Sequence, residues 1–412
     1  MQENFLPLNK RLQGLQDNPL ELPIQTFATW LTGEGYAQKT VQLKLGLLVD
    51  LGEWLGRTGR TITNLDEQLL QAFAEHQQLR VHEGHNLKTL QQFLEYLRGR
   101  DVVPDRKLVP DQSPWAELLS QYEKYMHSER GLMAATISHY QYFVGKFLQE
   151  RFPKGLILTQ EVKAYDISAF VLRHSQSWSV KSTQLMTTAL RSFFRYLFQK
   201  GELPANLAAS VPTVANRRLS TVPRYLPPQE VERVLQACNR GTAVGRRDYA
   251  ILLLLARLGL RAGEVVALQL EDINWRAGEI LVRGKGWLHE RMPLPVDVGE
   301  ALASYLRQDR PPCQTRRVFV CAKPPRRGFA HSDAVTVIVR RALERTDVHP
   351  PFKGAHLFRH SLATFTLRSG ATMGEVGEVL RHRDPNTTAI YAKVDFEGLR
   401  SLAQPWPTGG AQ

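Results

Sequence analysis

A mainly α-helical chain, with one small β-sheet in its last third, is the fold class to expect from this sequence. Apolar stripes at helical spacing fill the first two hundred residues: Val41, Leu45, Leu48 and Leu55; then Ile137, Tyr140, Val144 and Phe147; then Met186, Leu190, Phe193 and Leu197. One later stretch has strand character around a turn: Glu279-Ile-Leu-Val-Arg283, then Gly284-Lys285-Gly286, then residues 291–296, which together read as a β-hairpin. Two aperiodic, Pro-containing, charged segments, 101–114 and 205–223, cut the chain into three blocks.

Taken in order, residues 1–110 are expected to form an additional helical domain and 111–208 a second helical domain. Residues 209–224 should be an extended linker, 225–395 a larger domain carrying the hairpin, and 396–412 a tail. The first two blocks read as a divergent repeat. Gly35-x4-Thr40-Val41 is matched by Gly131-x4-Thr136-Ile137, and Leu65-Asp66 resembles Tyr165-Asp166. In the third block Pro227-Pro228 marks a helix start. The apolar run Tyr249-Ala-Ile-Leu-Leu-Leu-Leu-Ala256 is too short to span a bilayer and reads as a buried helix. Gly259 ends it, Arg261-Ala-Gly-Glu264 opens another helix, and Val318-Phe-Val320 is a candidate further strand.

Lys and Arg number 53 against 40 Asp and Glu, a surplus of 13 that suits a polyanionic partner such as DNA or RNA. Charge alone leaves a merely basic protein equally open. Cys238, Cys313 and Cys321 form no Cys-x-x-Cys pair, so neither a zinc site nor a disulfide framework is suggested. Met1-Gln-Glu-Asn-Phe lacks a signal-peptide pattern, and the cytoplasm is the expected location, with no membrane partner. Arg191 and Arg195, off the apolar stripe of their helix, fit a solvated face or a DNA-facing one equally; Arg217 and Arg218 add charge to the linker.

The residues that suggest chemistry are ordinary when taken singly. His356 and His360 are four apart, as helical metal ligands would be. Position 357 is Leu rather than Glu, and Arg359 between them would repel a cation, so a metal site is disfavoured. An anion site fits better. Arg261 and Arg359 each present a planar fork of donors to a phosphate, and would stabilise most strongly the charge that develops as the phosphate is attacked.

In chain order the sequence offers Gly259-Leu-Arg261-Ala-Gly-Glu264, Gly284-Lys285-Gly286, His356-Leu-Phe-Arg359-His360, Leu380-Arg-His382 and Thr387-Thr-Ala-Ile-Tyr391. This order and spacing closely resemble the tyrosine recombinase family, which includes phage integrases, the Xer proteins and Cre. The resemblance spans the whole third block, and the second block is similar to the family's helical, SAM-like core-binding domain. It implies a C-shaped clamp of two domains around duplex DNA. Tyr391 would attack the scissile phosphate to give a 3′-phosphotyrosine and a free 5′-hydroxyl. Arg261 and Arg359 would grip the phosphate, and His356 would manage the tyrosine proton. Lys285 would protonate the leaving oxygen, His382 would donate to the phosphate, and Glu264 would support the arginines. Bond energy is conserved in such an exchange, so neither a metal nor ATP is expected, and no Walker motif occurs. The family further implies paired recombination sites, a homo-tetramer or a hetero-assembly with sister recombinases, and a Holliday junction in integration, excision or transposition.

The chain departs from the family pattern in two places. Arg381 stands where the family often has Gly, as a DNA contact or an exposed side chain, and the hairpin after Lys285 is longer and lacks a second lysine. The segment Val394, Phe396, Leu399 and Leu402 is expected to dock on a neighbouring subunit. The other readings are a telomere resolvase, a type IB topoisomerase-like enzyme, and a non-catalytic DNA-binding or architectural protein.

Overall fold

The computed structural model describes residues 18–77, 84–105, 113–153, 157–215, 222–284, 289–395 and 399–400. The chain divides into two compact units. One is Arg106–Ser220, and the other joins Met1–Asp105 with Thr221–Gln412.

The first block of the larger unit holds α1 (Glu21–Gly33), α2 (Gln38–Arg57), α3 (Glu67–His76) and α4 (Gly84–Arg98). Its core gathers Phe27, Leu31, Leu45, Leu48, Leu55, Phe73 and Phe93, with the Val41 to Leu55 stripe facing inward. Gly35 turns the chain between α1 and α2 at φ +82°, a region that glycine enters without steric cost. At the same turn the Arg326 amide donates to the Glu34 carbonyl (3.2 Å), and the Arg326 side chain lies where a β-carbon on residue 35 would sit.

The smaller unit holds α5 (Ala116–Ser128), α6 (Ala134–Arg151), α7 (Ala164–Ser175) and α8 (Val180–Gln199). The Ser179 hydroxyl caps α8 by accepting the Ser182 amide (3.2 Å). Met186, Leu190, Phe193 and Leu197 then run along the buried face of α8. The element order of the first block recurs here: helix, turn with a left-handed glycine, long helix, 3₁₀ turn, helix, helix. Gly35 and Gly131 each lie two residues before the cap of the long helix, as the repeat requires. One detail of the expected alignment shifts. By element order Leu65-Asp66 corresponds to Val162-Lys163, since both pairs follow the 3₁₀ turn, whereas Asp166 lies three residues further on inside α7. There Asp166 accepts the Lys163 amide (2.9 Å), so both aspartates stabilise the same helix start from different positions.

In the third block come α9 (Pro228–Gln236), α10 (Ala243–Arg257), α11 (Ala262–Ala267), β1 (Ile273–Asn274), β2 (Glu279–Arg283), β3 (His289–Pro293), α12 (Val296–Gln308), α13 (Asp333–Glu344), α14 (His356–Arg368), α15 (Met373–Val379) and α16 (Pro385–Thr388). A 3₁₀ turn, Ala389–Val394, follows. The apolar run is the heart of α10: Ala250 to Ala256 are all buried, and α9, α12, α13 and α14 pack round it. The sheet is antiparallel in the order β1-β2-β3, with Ile273 opposite Ile280 and Arg283 opposite His289. The expected hairpin therefore forms, but β3 begins at His289 rather than 291, and β1 was not anticipated. Val318 and its neighbours form no named strand; Gln269 and Val320 make isolated bridges to Arg317 and Gly328. Among the described residues no helix is long and apolar enough to cross a membrane.

Candidate active site

Four segments supply the site: the turn from α10 into α11, the first turns of α14, the loop from α15 into α16, and the last 3₁₀ turn. The leucine-rich α10 ends at Gly259, whose φ is +58°. A β-carbon there would approach Leu362 and Leu380 to 3.0 Å each. The chain can then turn directly to Arg261, the cap of α11, whose amide is accepted by the Glu264 carboxylate (2.8 Å).

Arg359 is the hub. It is 3% exposed. Its two terminal nitrogens donate to the carbonyls of Gly259 and Leu380, tying the α10–α11 turn to the α15–α16 loop. Burial, reinforced by the nearby Arg261 and Arg381 charges, draws this guanidinium down to about 10, so it remains a cation at neutral pH. Arg261 is 40% exposed along its side chain and pairs through Nη1 with Glu264 Oε1 at 2.7 Å. Arg381 reaches Glu264 Oε2 at 2.8 Å. Burial works to raise the Glu264 carboxyl, but the Arg261 amide and the two arginine charges outweigh it and hold the group below its usual range.

Tyr391 is 1% exposed, and its hydroxyl lies 2.8 Å from His360 Nδ1. Burial pushes this phenol up to about 12, against the pull of Arg359 and Arg261. Burial, with His356 and Arg359 beside it, pushes the His360 imidazole down to about 4. A neutral ring that accepts the phenol proton at Nδ1 satisfies both groups. The His356 ring lies 6.4 Å from that of His360 on the same helix. His382 Nδ1 lies 2.8 Å from Thr388 Oγ1; burial, then Arg359 and Arg261, bring its imidazole to about 4. With the hydroxyl of Thr388 donating, the His382 Nε2–H is left as a donor.

A cavity of about 540 Å³ opens on Arg261, Glu264, Arg381 and His382, with Gly284 and Glu290 from the hairpin on its wall. Arg283, at the end of β2, is anchored to the buried Asp272 carboxylate (2.7 Å), which fixes the strand that leads to Lys285.

Residues 224–397 match the Phage integrase family, and residues 119–201 match its N-terminal SAM-like domain. The sequence is 41% identical over 410 residues to the putative integrase/recombinase y4rA of Sinorhizobium fredii, covering 99% of each chain. The chain belongs to the phage integrase family of tyrosine recombinases. It is also 30% identical over 299 residues to the tyrosine recombinase XerC of Shewanella amazonensis, covering 71% of this chain and 95% of that one. A crystal structure of the XerH site-specific recombinase bound to palindromic difH substrate shares the fold, at 22% identity and TM-score 0.57 over 76% of this chain and 94% of that one. So does a lambda integrase dimer bound to a COC′ core site, at 17% identity and TM-score 0.53, over 72% of this chain and 99% of that one.

In this recombinase Arg261, His356, Arg359, His382 and Tyr391 come from segments spread over 131 positions, and Glu264 supports Arg261. Lys285 lies outside the described residues, as do Arg217, Arg218, Phe396 and Leu402. Arg381 is neither exposed nor turned outward: its side chain is 7% exposed and paired with Glu264. Arg191 donates to the carbonyls of Val211 and Pro212 and to Thr213 Oγ1, so it secures the segment after α8 rather than forming a free basic face. Arg195 on α8 is exposed. Sequence reasoning weighed His360 only as a metal ligand and missed its contact with Tyr391. The helical i, i+4 relation to His356 was the available signal.

Proposed function

We propose that this recombinase cleaves and rejoins DNA strands at specific sites through Tyr391. The phenolic oxygen attacks the scissile phosphorus, a 3′-phosphotyrosyl bond forms, and the bond to the 5′-oxygen breaks. Arg261 and Arg359 hold the non-bridging oxygens, and His382 donates a hydrogen bond to one of them. The phenol proton passes to a histidine, His360 as the partner in place or His356 four residues before it. Lys285, from the Gly284-Lys285-Gly286 stretch of the sequence, protonates the departing 5′-oxygen. A second attack by a 5′-hydroxyl of the partner duplex reverses these steps. The supporting observation is the gathering of two arginines, three histidines and a tyrosine, with Tyr391 hydrogen-bonded to His360 at 2.8 Å.

The reading extends to paired sites held by four protomers, or by a mixed assembly with sister recombinases. Strands would be exchanged in turn through a Holliday junction, in the cytoplasm, during integration, excision or transposition. The C-terminal tail would dock on a neighbouring protomer.

Trapping tests the chemistry. Nicked or phosphorothiolate duplexes carrying sites that flank the gene should give a covalent adduct on denaturing gels with the wild type and none with Tyr391→Phe. An adduct that survives in Tyr391→Phe excludes this nucleophile. Tight site binding with no adduct in the wild type favours a DNA-binding role alone.

A further inference from the structure

Arg381 adopts φ +54°, one of two non-glycine residues in the left-handed region among those described. For an L-residue with a long side chain this backbone is strained, and such strain persists where surrounding contacts over-determine it. The amides of Arg381 and His382 close the end of α15 on the Glu378 and Gly377 carbonyls (2.9 Å each), and the side chain adds contacts of its own. Instead of extending into solvent, it folds inward, with Nη2 on Glu264 Oε2 at 2.8 Å and Nη1 toward the Leu258 carbonyl at 3.4 Å and the Met292 sulfur.

The other partner of Glu264 is Arg261, through Nη1 at 2.7 Å and through its amide at 2.8 Å. One carboxylate, 6% exposed, thus stands between two guanidinium groups. With Arg261 alone it would form a closed, neutral pair, and an incoming phosphate would compete with Glu264 for Arg261. With Arg381 present, the carboxylate is already balanced, and the charge of Arg261 is left for the cavity that all three line together with His382. Because Arg381 immediately precedes His382, the same ion pair also fixes the loop that carries that histidine.

We propose that Arg381 is a positioning residue of the phosphate clamp: by neutralising Glu264 it frees Arg261 to bind the scissile phosphate and holds the His382 loop in place. This rests on reading the cavity as the phosphodiester site. Arg381 itself need not touch the DNA.

Inorganic tungstate, a tetrahedral oxyanion, serves as a probe that needs no knowledge of the target site. Its affinity would be measured on the full chain by titration calorimetry for the wild type, Arg381→Met, Arg381→Gly, Arg381→Lys, Glu264→Gln and the double variant Glu264→Gln/Arg381→Met. Arg381→Met is expected to weaken tungstate by about tenfold, as loss of one neighbouring charge in a half-dry site would. Arg381→Lys should restore part of the loss. Arg381→Gly removes the backbone strain, so it should melt no lower than Arg381→Met while binding tungstate as poorly. The decisive comparison is the double variant. With Glu264 uncharged, Arg261 no longer needs a second arginine, so Arg381→Met should cost much less affinity in the Glu264→Gln background than in the wild type. Losses that simply add, or an Arg381→Met affinity equal to wild type, overturn the proposal. Failure of the wild type to bind tungstate at all, in a titration where it still binds DNA, overturns instead the assignment of this cavity as the phosphate site.

Discussion

At residue scale, the two imidazoles of lowered proton affinity make stability depend on pH. His360 and His382 titrate near 4 in the folded chain, against an ordinary value near 6.5. The folded state refuses protons that the unfolded chain accepts. Their contribution is therefore present above about 6.5 and is lost as pH falls toward about 4. The urea midpoint should hold steady from pH 8 to 7 and drop between pH 6.5 and 4.5, with a shallower drop in His360→Asn; identical slopes in the two proteins would contradict this assignment. Much of the site was readable because order and spacing of Arg261, His356, Arg359, His382 and Tyr391 are properties of the chain. The partner of each group was not. His360 meets Tyr391 across 31 positions and Arg381 meets Glu264 across 117, and only the folded backbone brings such pairs together.

At the scale of elements, the turn between α10 and α11 carries more than its length suggests. Gly259 must take a left-handed φ, leave room for Leu362 and Leu380, and offer its carbonyl to Arg359. Gly259→Ala should cost about 1–3 kcal/mol in chemical denaturation. It should also slow strand cleavage at saturating DNA, because the Arg359 anchor shifts; unchanged stability would show that the turn relaxes freely. The helices were legible from their apolar periodicity, and the hairpin from its flanking strand residues. The strand boundary was less so. His289 and Glu290 alternate exposed and half-buried on an edge strand, and their polarity hid them from a pattern search. The two-residue β1 is too short for any periodicity to reveal, and the pairing of Ile273 with Ile280 defines it.

For the whole molecule, the repeated helical blocks differ in charge. Residues 18–105 carry eight Lys and Arg against eleven Asp and Glu, whereas residues 113–211 carry eleven against seven. Counterion release follows the basic surface. DNA affinity should therefore fall steeply with salt, and a chain lacking residues 1–105 should keep nearly the same log–log slope. A slope reduced by several units would assign the first block a direct hold on the backbone. The likeness of the two blocks was visible in the sequence at Gly35 and Gly131, because a left-handed turn constrains residue type. It blurred elsewhere, since aspartate stabilises a helix start equally well as cap or three residues later.

Burial of Tyr391 has a consequence for the safety of the genome this enzyme acts upon. A phenol with 1% of its surface open cannot meet a duplex that merely brushes past. On the proposed mechanism, its release would have to come from contacts made when DNA is bound. Passing encounters with DNA would then leave no nicks, and breakage would be confined to complexes in which the nucleophile has been brought out.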